Sequence, residues 1–334
     1  MKRLLVLGSL VMLGALSASV AAFQQPAGRQ GGARGATPPP FGQETPSADA
    51  LMVEKVKPNL FVLRGGGGNT AVFITDAGVV LVDTKLPGWG QPIIQKLRTI
   101  TPKPVTTIIN THAHFDHASG NVEFPPNVEI VTHQNTKTYM EQGNPVSGVQ
   151  QGPQPNIYKQ NGGRGLPART YRDTLTLGKG DERIELRYFG PAHTGGDTFV
   201  VFPALRIAHV GDVFPNKGLP IMDRNNGGSG IAYPDTIDKA AKGLAGVDAI
   251  INGHTDAQTT VADLREYGAF LREFVNAAGA AKKAGKTAAQ FAAEWKTPAR
   301  FKGYQPITAE GPGPNLSQAD FARNDAQVVF DELK

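Results

Sequence analysis

The chain has 334 residues, of which 40% are hydrophobic and 19% charged, a balance that predicts a globular protein with a substantial core. It contains no cysteine, which excludes disulfide bonds and a lipid anchor attached through cysteine. Its formal net charge of +5 falls by two, to +3, without Lys2 and Arg3. So mild a charge, without basic runs, argues against nucleic acid as a partner.

The first 22 residues have the layout of a secretory signal peptide. Lys2 and Arg3 are followed by the apolar run Leu4 to Leu16, and small residues precede a cleavage point near Ala21 or Ala22. The apolar run is shorter than the ~20 residues of a membrane-spanning helix. We therefore expect a bacterial protein, exported by a Sec-type signal to the periplasm or secreted, with no stable membrane anchor after the signal is removed.

The composition changes twice after the signal peptide. Residues 23–50 are rich in Gly, Pro and Gln and poor in apolar residues, which predicts a disordered linker. From Leu51 onward, apolar strand and helix patterns begin. We expect one folded domain over 51–285 and a C-terminal helical extension over 286–334.

Short strands dominate the first part of this domain. Asp76-Ala77-Gly78 reads as the turn of a hairpin, and Ile93, Ile94, Leu97 and Ile100 share one helical face. The predicted elements are two short strands within 51–65, a hairpin over 71–82, a helix over 89–100, and strands over 104–110 and 128–133.

Two long loops, 143–167 and 216–230, interrupt the second part of the domain. Loops of this length inside a compact domain are usually functional or disordered. Around them the sequence predicts four strands between 174 and 214, a helix over 234–245, a strand over 249–253, a long helix over 260–284 and a final helix over 317–334. Hairpins followed by mixed strands and helices predict an α/β (α+β) sandwich.

The stretch THAHFDHASGN, residues 111–121, contains three of the seven histidines of the chain. It directly follows the apolar strand TTIIN, so a solvated histidine tract is the weaker interpretation. His112 and His114 are two apart and would point the same way in an extended segment, while Asp116 and His117 could begin a short helix. Imidazole favours zinc, and a carboxylate adds a harder ligand. The spacing indicates two metal ions.

Further metal ligands are expected at other strand ends. His193, Asp212 and His254 each stand where a predicted strand gives way to a loop, although each alone could be an ordinary hydrogen-bonded loop residue. Asp83 closes GVVLVDT and is expected either to orient a ligand by hydrogen bonding or to cap the next turn. His133 is interpreted as a cap, and His209 either as structural or as a residue that supports a ligand.

Together these residues resemble the metallo-β-lactamase superfamily. Its His-x-His-x-Asp-His motif stands here at residues 112–117, followed in order by His193, Asp212 and His254, and the resemblance covers roughly 55–270. It implies an αββα sandwich of two mixed sheets flanked by helices. It also implies that His112, His114 and His193 hold one zinc ion, that Asp116, His117 and His254 hold a second, and that Asp212 bridges them.

Two differences from the family pattern indicate which branch of the family the chain resembles. Asp212 stands where one group of zinc β-lactamases has a ligand cysteine, so the chain is more similar to the bridging-aspartate branch that includes glyoxalase II, lactonases and cyclase-like members. His254 lies in Asn-Gly-His-Thr, whereas that branch usually has Pro-Gly-His-Gly. The ligand is retained and its loop differs.

The resemblance implies a dinuclear zinc hydrolase. Zinc lowers the pKa of a shared water, and the hydroxide attacks a carbonyl of an ester, thioester, lactone or amide, with Asp116 as the catalytic residue that orients it. The alternatives are a β-lactam hydrolase, an iron-dependent oxidoreductase similar to sulfur dioxygenases, and a non-catalytic metal-binding module. Iron or manganese would fit the same ligands. The expected partner is a small-molecule substrate, and the sequence does not indicate an oligomeric state.

Overall fold

The fold is a four-layer sandwich. The computed structural model describes residues 45–149, 155–306 and 317–333, and the predicted signal peptide and residues 23–44 of the predicted linker lie outside them. Two mixed β-sheets pack against each other, and helices cover their outer faces. This architecture confirms the αββα prediction.

Within the described ranges, the first sheet has seven strands that follow one another in chain order. Of the six neighbouring pairs, the first three are antiparallel and the last three are parallel. The strands are β1 (Met52–Lys57), β2 (Leu60–Arg64), β3 (Thr70–Ile74), β4 (Val79–Val82), β5 (Val105–Ile109), β6 (Glu129–His133) and β7 (Arg169–Tyr171).

The second sheet has five strands in the described part of the chain, again in chain order. All neighbours are antiparallel except the last pair, which is parallel. The strands are β8 (Thr174–Leu177), β9 (Ile184–Arg187), β10 (Phe199–Phe202), β11 (Ile207–His209) and β12 (Ala249–Ile251).

Alternating side chains along the strands fill the space between the layers, because successive residues of a strand point to opposite faces. On β10, Val200 and Phe202 enter the core between the sheets, whereas Phe199 and Val201 face the helices outside the second sheet. Phe73 of the first sheet meets Phe202 with ring centroids 5.0 Å apart. Full burial on both faces explains why β10 is a continuous apolar run.

The helices divide between the two outer faces. The first helix packs on the first sheet, and the last four helices pack on the second. No helix among the described residues is both long and apolar enough to cross a membrane. The bounds are α1 (Gly90–Leu97), α2 (Phe115–Ala118), α3 (Gln134–Gln142), α4 (Ile157–Gln160), α5 (Tyr233–Gly243), α6 (Val261–Lys283), α7 (Ala288–Glu294) and α8 (Gln318–Glu332).

The segment 143–167 is not wholly irregular, contrary to the prediction. It contains α4, whose first turn is capped by the side chain of Asn156, which accepts hydrogen bonds from the backbone of Tyr158 and Lys159. Tyr158 is buried and donates a hydrogen bond to the carbonyl of Ala118, 3.0 Å away. Part of this loop therefore packs against the short helix that carries Asp116 and His117. Residues 150–154 lie outside the described part.

Candidate metal centre

The parallel strands bring the candidate ligands to one edge of the sandwich. Strand β5 runs between its parallel neighbours β4 and β6, and the chain passes from its end into Asn110 and Thr111, both buried, and then into the histidine cluster. In the second sheet, β11 and β12 are also parallel. Asp212 and His254 follow their ends, and His193 lies in the connection between β9 and β10.

One group of donors consists of His112, His114 and His193, whose ligand atoms all lie within 4.8 Å of one another. The Nε2 atom of His193 is 3.0 Å from Nδ1 of His114. The backbone carbonyl of Ile221, 2.6 Å from Nδ1 of His193, fixes the other side of that ring. Three imidazoles therefore converge on one point.

A second group consists of Asp116, His117 and His254. The Nε2 atoms of His117 and His254 are 3.3 Å apart, and Oδ2 of Asp116 lies 3.3 Å from the first and 3.2 Å from the second. This set mixes two imidazoles with a carboxylate.

Asp212 lies between the two groups. Its Oδ1 is 3.3 Å from Nε2 of His117, and its Oδ2 is 3.2 Å from Nε2 of His254 and 3.8 Å from Nε2 of His193. It also forms a third candidate set with His112 and His117. The seven residues singled out in the sequence thus come together, with Asp212 within reach of both groups.

The donor set fits a metal. Nε2 of His112 and Oδ1 of Asp212 are buried and have no hydrogen-bond partner among the described residues. Such an arrangement costs free energy unless another group binds there. His112, His117 and His193 are at most 1% exposed, and the rings of His112 and His117 have centroids 4.2 Å apart. Neutral imidazoles and carboxylates facing one buried point are the ligands that zinc and similar cations use.

The electrostatics of the two groups differ. Burial lowers the pKa of His193 to about 4, with the neighbouring His114 adding to the effect. Burial acts in the same direction on His254, but the charges of Asp212 and Asp116 outweigh it and raise the pKa of His254 to about 9. Burial opposes ionisation of Asp116 as well, yet the nearby His117 and His254 hold its pKa well below the usual range. In the second group a positive charge is strongly favoured, and a metal cation could supply it.

Asp83 lies against the cluster. Its Oδ2 is 2.7 Å from Nδ1 of His117, and the same carboxylate accepts hydrogen bonds from the backbone N–H and the hydroxyl of Thr111. Asp83 has a φ of 65°, a left-handed conformation that non-glycine residues seldom adopt. The carboxylate thus turns Nε2 of His117 toward the other donors, as carboxylates behind metal-bound histidines do.

Asp223 was missed by the sequence analysis. Its Oδ2 lies 2.7 Å from Nε2 of His114, which leaves Nδ1 of that ring for the cluster. Asp223 also accepts hydrogen bonds from Nδ2 of Asn226 and the backbone N–H of Ser147. Burial acts against ionisation, but the hydrogen bond to His114 holds the pKa of Asp223 below its usual range. No strand leads into this residue, so the strand-end criterion could not find it.

The backbone at Gly67 and Gly68, within the four-glycine run 65–68, lies against the second group. A Cβ atom on Gly68 would lie 2.1 Å from Cε1 of His117, and one on Gly67 would lie 2.6 Å from the carbonyl oxygen of Asp116. The ammonium group of the buried Lys85 donates to the carbonyls of Gly68 and Leu63 at 2.8 and 2.9 Å. Glycine is required here because the backbone lies directly on the ligands, a contact that the sequence could not reveal.

The remaining histidines have structural contacts. The Nδ1 atom of His133 caps α3 by accepting the backbone N–H of Asn135. His209 lies 3.0 Å from the carbonyl of Asn69 and accepts the backbone N–H of Gly211. Neither ring belongs to a candidate metal group among the described residues.

Comparisons with known proteins agree with this geometry. A sequence model of the family described as "Metallo-beta-lactamase superfamily" matches residues 63–266. A curated relative, the 2,4-dinitroanisole O-demethylase subunit alpha of Nocardioides sp. (strain JS1661), is 29% identical over 168 residues, which are 49% of this chain and 46% of that protein. The match thus spans about half the length of this relative.

Solved structures share the fold at low sequence identity. A metallo-beta-lactamase from Pontibacter korlensis is similar with a TM-score of 0.54 and 18% identity, over 66% of this chain and 99% of that one. The sec-alkylsulfatase Pisa1 from Pseudomonas sp. is similar with a TM-score of 0.57 and 16% identity, over 87% of this chain and 54% of that one. At such identities the likeness concerns the fold alone.

Proposed function

Because the chain belongs to the metallo-β-lactamase superfamily, we propose that it is a hydrolase of a small molecule that uses two divalent metal ions, with zinc as the first candidate. The observation that carries the proposal is the pair of three-residue donor groups with Asp212 between them. His112, His114 and His193 would hold one ion, Asp116, His117 and His254 the other, and Asp212 would reach both.

The protein's own residues would prepare the site for attack on a carbonyl group. Zinc held by these residues would lower the pKa of a bound water and would polarise the carbonyl oxygen of the substrate. Asp116 stays ionised, since its pKa is held well below the usual range, so its carboxylate can accept a hydrogen bond from the attacking water. Asp83 and Asp223 hold two of the histidine rings in a fixed orientation.

The proposed substrates are esters, thioesters, lactones or amides. β-Lactams are an alternative, favoured only by the shared fold. A second candidate reaction is the removal of an O-methyl group from an activated aromatic ether, because the curated relative is named as a 2,4-dinitroanisole O-demethylase subunit. An iron-dependent oxidoreductase is a further alternative, since iron would fit the same donor set. The last alternative is a non-catalytic metal-binding module, which would bind metal but convert no substrate.

The metal content and the activity can be tested together. Protein produced with controlled metal supply would be analysed for zinc, iron and manganese and assayed against thioesters, lactones, a β-lactam and 2,4-dinitroanisole. We expect two zinc ions per chain and hydrolysis of a carbonyl substrate. Iron as the main metal together with oxygen consumption would contradict the proposal, as would bound metal without turnover of any compound.

Two substitutions link the activity to the site. His112→Ala and Asp116→Asn should each lower kcat/KM by at least ~10²-fold, since each removes a proposed ligand. The matched control is His133→Asn, which removes an imidazole outside the cluster and keeps a side chain suited to cap α3. Hydrolysis that survives unchanged in both site variants would show that the cluster is not catalytic.

Export from the cytoplasm is also part of the proposal and is supported by the signal-like N-terminus. Mass spectrometry of the protein from a periplasmic extract should find a mature chain that begins near residue 22 or 23. An intact N-terminus in the cytoplasmic fraction would be the contrary result.

A further inference from the structure

Three side chains on one face of α8 bind a single loop. Gln318, Asp325 and Glu332 are spaced seven residues apart, so they follow one another along the same side of the helix. All three accept hydrogen bonds from the backbone of residues 219–231. We call this stretch the 219–231 segment.

The contacts extend along the whole helix. Oε1 of Gln318 accepts the N–H of Leu219 at 3.0 Å, and Oδ1 of Asp325 accepts the N–H of Met222 at 3.1 Å. Glu332 accepts the backbone N–H groups of Gly230 and Ile231 at 3.2 and 2.9 Å and the hydroxyl of Ser229 at 2.9 Å. The N–H groups at both ends of the segment and at Met222, which would otherwise lack an acceptor, thereby form hydrogen bonds.

The helix itself is held firmly in the core. Ala322, Ala326 and Val329 pack there with residues of α5, α6 and α7. Asp325 is 1% exposed, and its Oδ2 has no hydrogen-bond partner in the part of the chain that the structure describes. Burial raises the pKa of Asp325 well above its usual value, which favours a neutral carboxyl group. An acidic residue at this buried place is best explained by its hydrogen bond to Met222.

The 219–231 segment in turn orients two candidate ligands. The carboxylate of Asp223 lies against Nε2 of His114, and the carbonyl of Ile221 lies against Nδ1 of His193. The backbone N–H of Asp223 also donates to the carbonyl of His193 at 2.9 Å. Two of the three imidazoles of the first donor group therefore take their orientation from a segment that α8 holds.

We propose that α8 is a positioning element of the metal centre, in which Gln318, Asp325 and Glu332 fix the 219–231 segment and thereby the rings of His114 and His193. The inference rests on the proposed metal-dependent function. It also goes beyond the family likeness, because the family match ends at residue 266 and α8 lies outside it. These residues touch no proposed metal position and act only through the segment.

The test compares variants that lose an acceptor with variants that keep it. Asp325→Leu and Glu332→Ala remove the hydrogen bonds to the segment, whereas Asp325→Asn and Glu332→Gln retain a carbonyl oxygen. Arg323→Ala is the control on the same helix, because Arg323 is exposed and pairs with Asp320, 3.0 Å away. Thermal unfolding would establish that each variant is folded, and Glu332→Ala keeps the test available if Asp325→Leu does not fold.

Three measurements separate positioning from simple loss of stability. In the metal-free protein, hydrogen exchange of the 219–231 amides should become at least about tenfold faster in the acceptor-deleted variants, and the ¹⁵N resonances of His114 and His193 should shift. Affinity for Zn²⁺, measured by competition with a chelator, should fall about 10–100-fold. The acceptor-retaining variants and Arg323→Ala should stay close to wild type.

The inference is overturned if folded acceptor-deleted variants keep wild-type exchange in the segment and wild-type Zn²⁺ affinity. It is also overturned if Arg323→Ala produces the same losses. None of these measurements requires turnover. A wild-type protein that binds zinc but hydrolyses nothing would therefore count against the proposed function and leave the role of α8 to be decided by the exchange and affinity data.

Discussion

At the scale of single residues, the site combines ligands that the sequence identifies with supporting residues that it does not. His112, His114 and His117 stand in one dense motif after a buried strand, so their chemistry can be read from residue type and spacing. Asp223 has no such context, and only the folded chain brings it to within 2.7 Å of His114. The hydrogen bond from Lys85 to the carbonyl of Gly68 likewise could not be predicted from the sequence.

Replacing Asp223 should weaken metal binding without abolishing the fold. Asp223→Ala removes the acceptor behind His114 and also leaves the backbone N–H of Ser147 without its partner. Zn²⁺ affinity should fall about 10–100-fold. Isothermal titration of the metal-free protein would measure it, with the exposed Asp173→Asn as a control. An affinity equal to wild type would show that the contact does not orient the ring.

The stability of the metal-free protein should depend on pH in a defined direction. The carboxylates raise the pKa of His254 to about 9 from an ordinary value of 6.5. A histidine with a raised pKa stabilises the folded state fully below the unfolded value, and this contribution is lost as the pH rises through the folded value. The free energy of unfolding should therefore decrease between pH 6.5 and 9, by at most about 3 kcal/mol from this group.

Urea titrations in the presence of a chelator would measure this dependence. His254→Gln should show a shallower decrease over the same pH range, and the zinc-loaded wild type should show little of it, because the metal replaces the proton. A flat curve for the metal-free wild type would contradict the charge distribution described for the second donor group.

At the scale of elements, the sequence identified helices with clear periodicity and clear ends. The predicted helix over 260–284 is α6, which begins after the capping box of Thr260 and Asp263. Helix α4 escaped prediction because four residues are too few to show a period of 3.6. The pairing of β11 with β12 was not predictable either, since parallel strands far apart in the chain leave no local signal. That pairing is what brings Asp212 next to His254.

Helix α8 begins with a capping box formed by Ser317 and Asp320, which offers a test at this scale. The hydroxyl of Ser317 accepts the N–H of Asp320 at 3.1 Å, and the carboxylate of Asp320 accepts the N–H of Ser317 at 2.9 Å. Ser317→Ala should lower the free energy of unfolding by about 1 kcal/mol, and Ser317→Thr should restore most of it. Chemical denaturation would measure both, and a neutral Ser317→Ala would show that the cap contributes nothing to stability.

At the scale of the whole molecule, the candidate ligands come from both halves of the sandwich. His112 to His117 follow β5 of the first sheet, and His193, Asp212 and His254 belong to the second half of the chain. Each donor group is complete only when the two halves are assembled, so a metal ion held by either group would bind only the native state. Such selective binding stabilises the fold by mass action.

Zinc should therefore raise the Tm of the whole domain. At a free metal concentration about one hundred times the dissociation constant, each bound ion contributes about 2.7 kcal/mol, which corresponds to about 5 °C for a domain of this size. Scanning calorimetry with and without a chelator would measure it. Asp212→Asn, which removes the carboxylate charge between the two donor groups, should reduce the shift. A Tm that does not change with zinc would contradict metal binding in the native state.

The position of Asp212 between the two donor groups also has a kinetic consequence. Its neighbours His117 and His254 are 137 residues apart in the chain, and they meet only after the two sheets have docked. A nascent chain that ends just before β11 still lacks Asp212 and His254, so the complete site can form only after both strands of this pair have been synthesised. A metal-sensitive spectroscopic signal would therefore report the docking of the two sheets and give its time during folding.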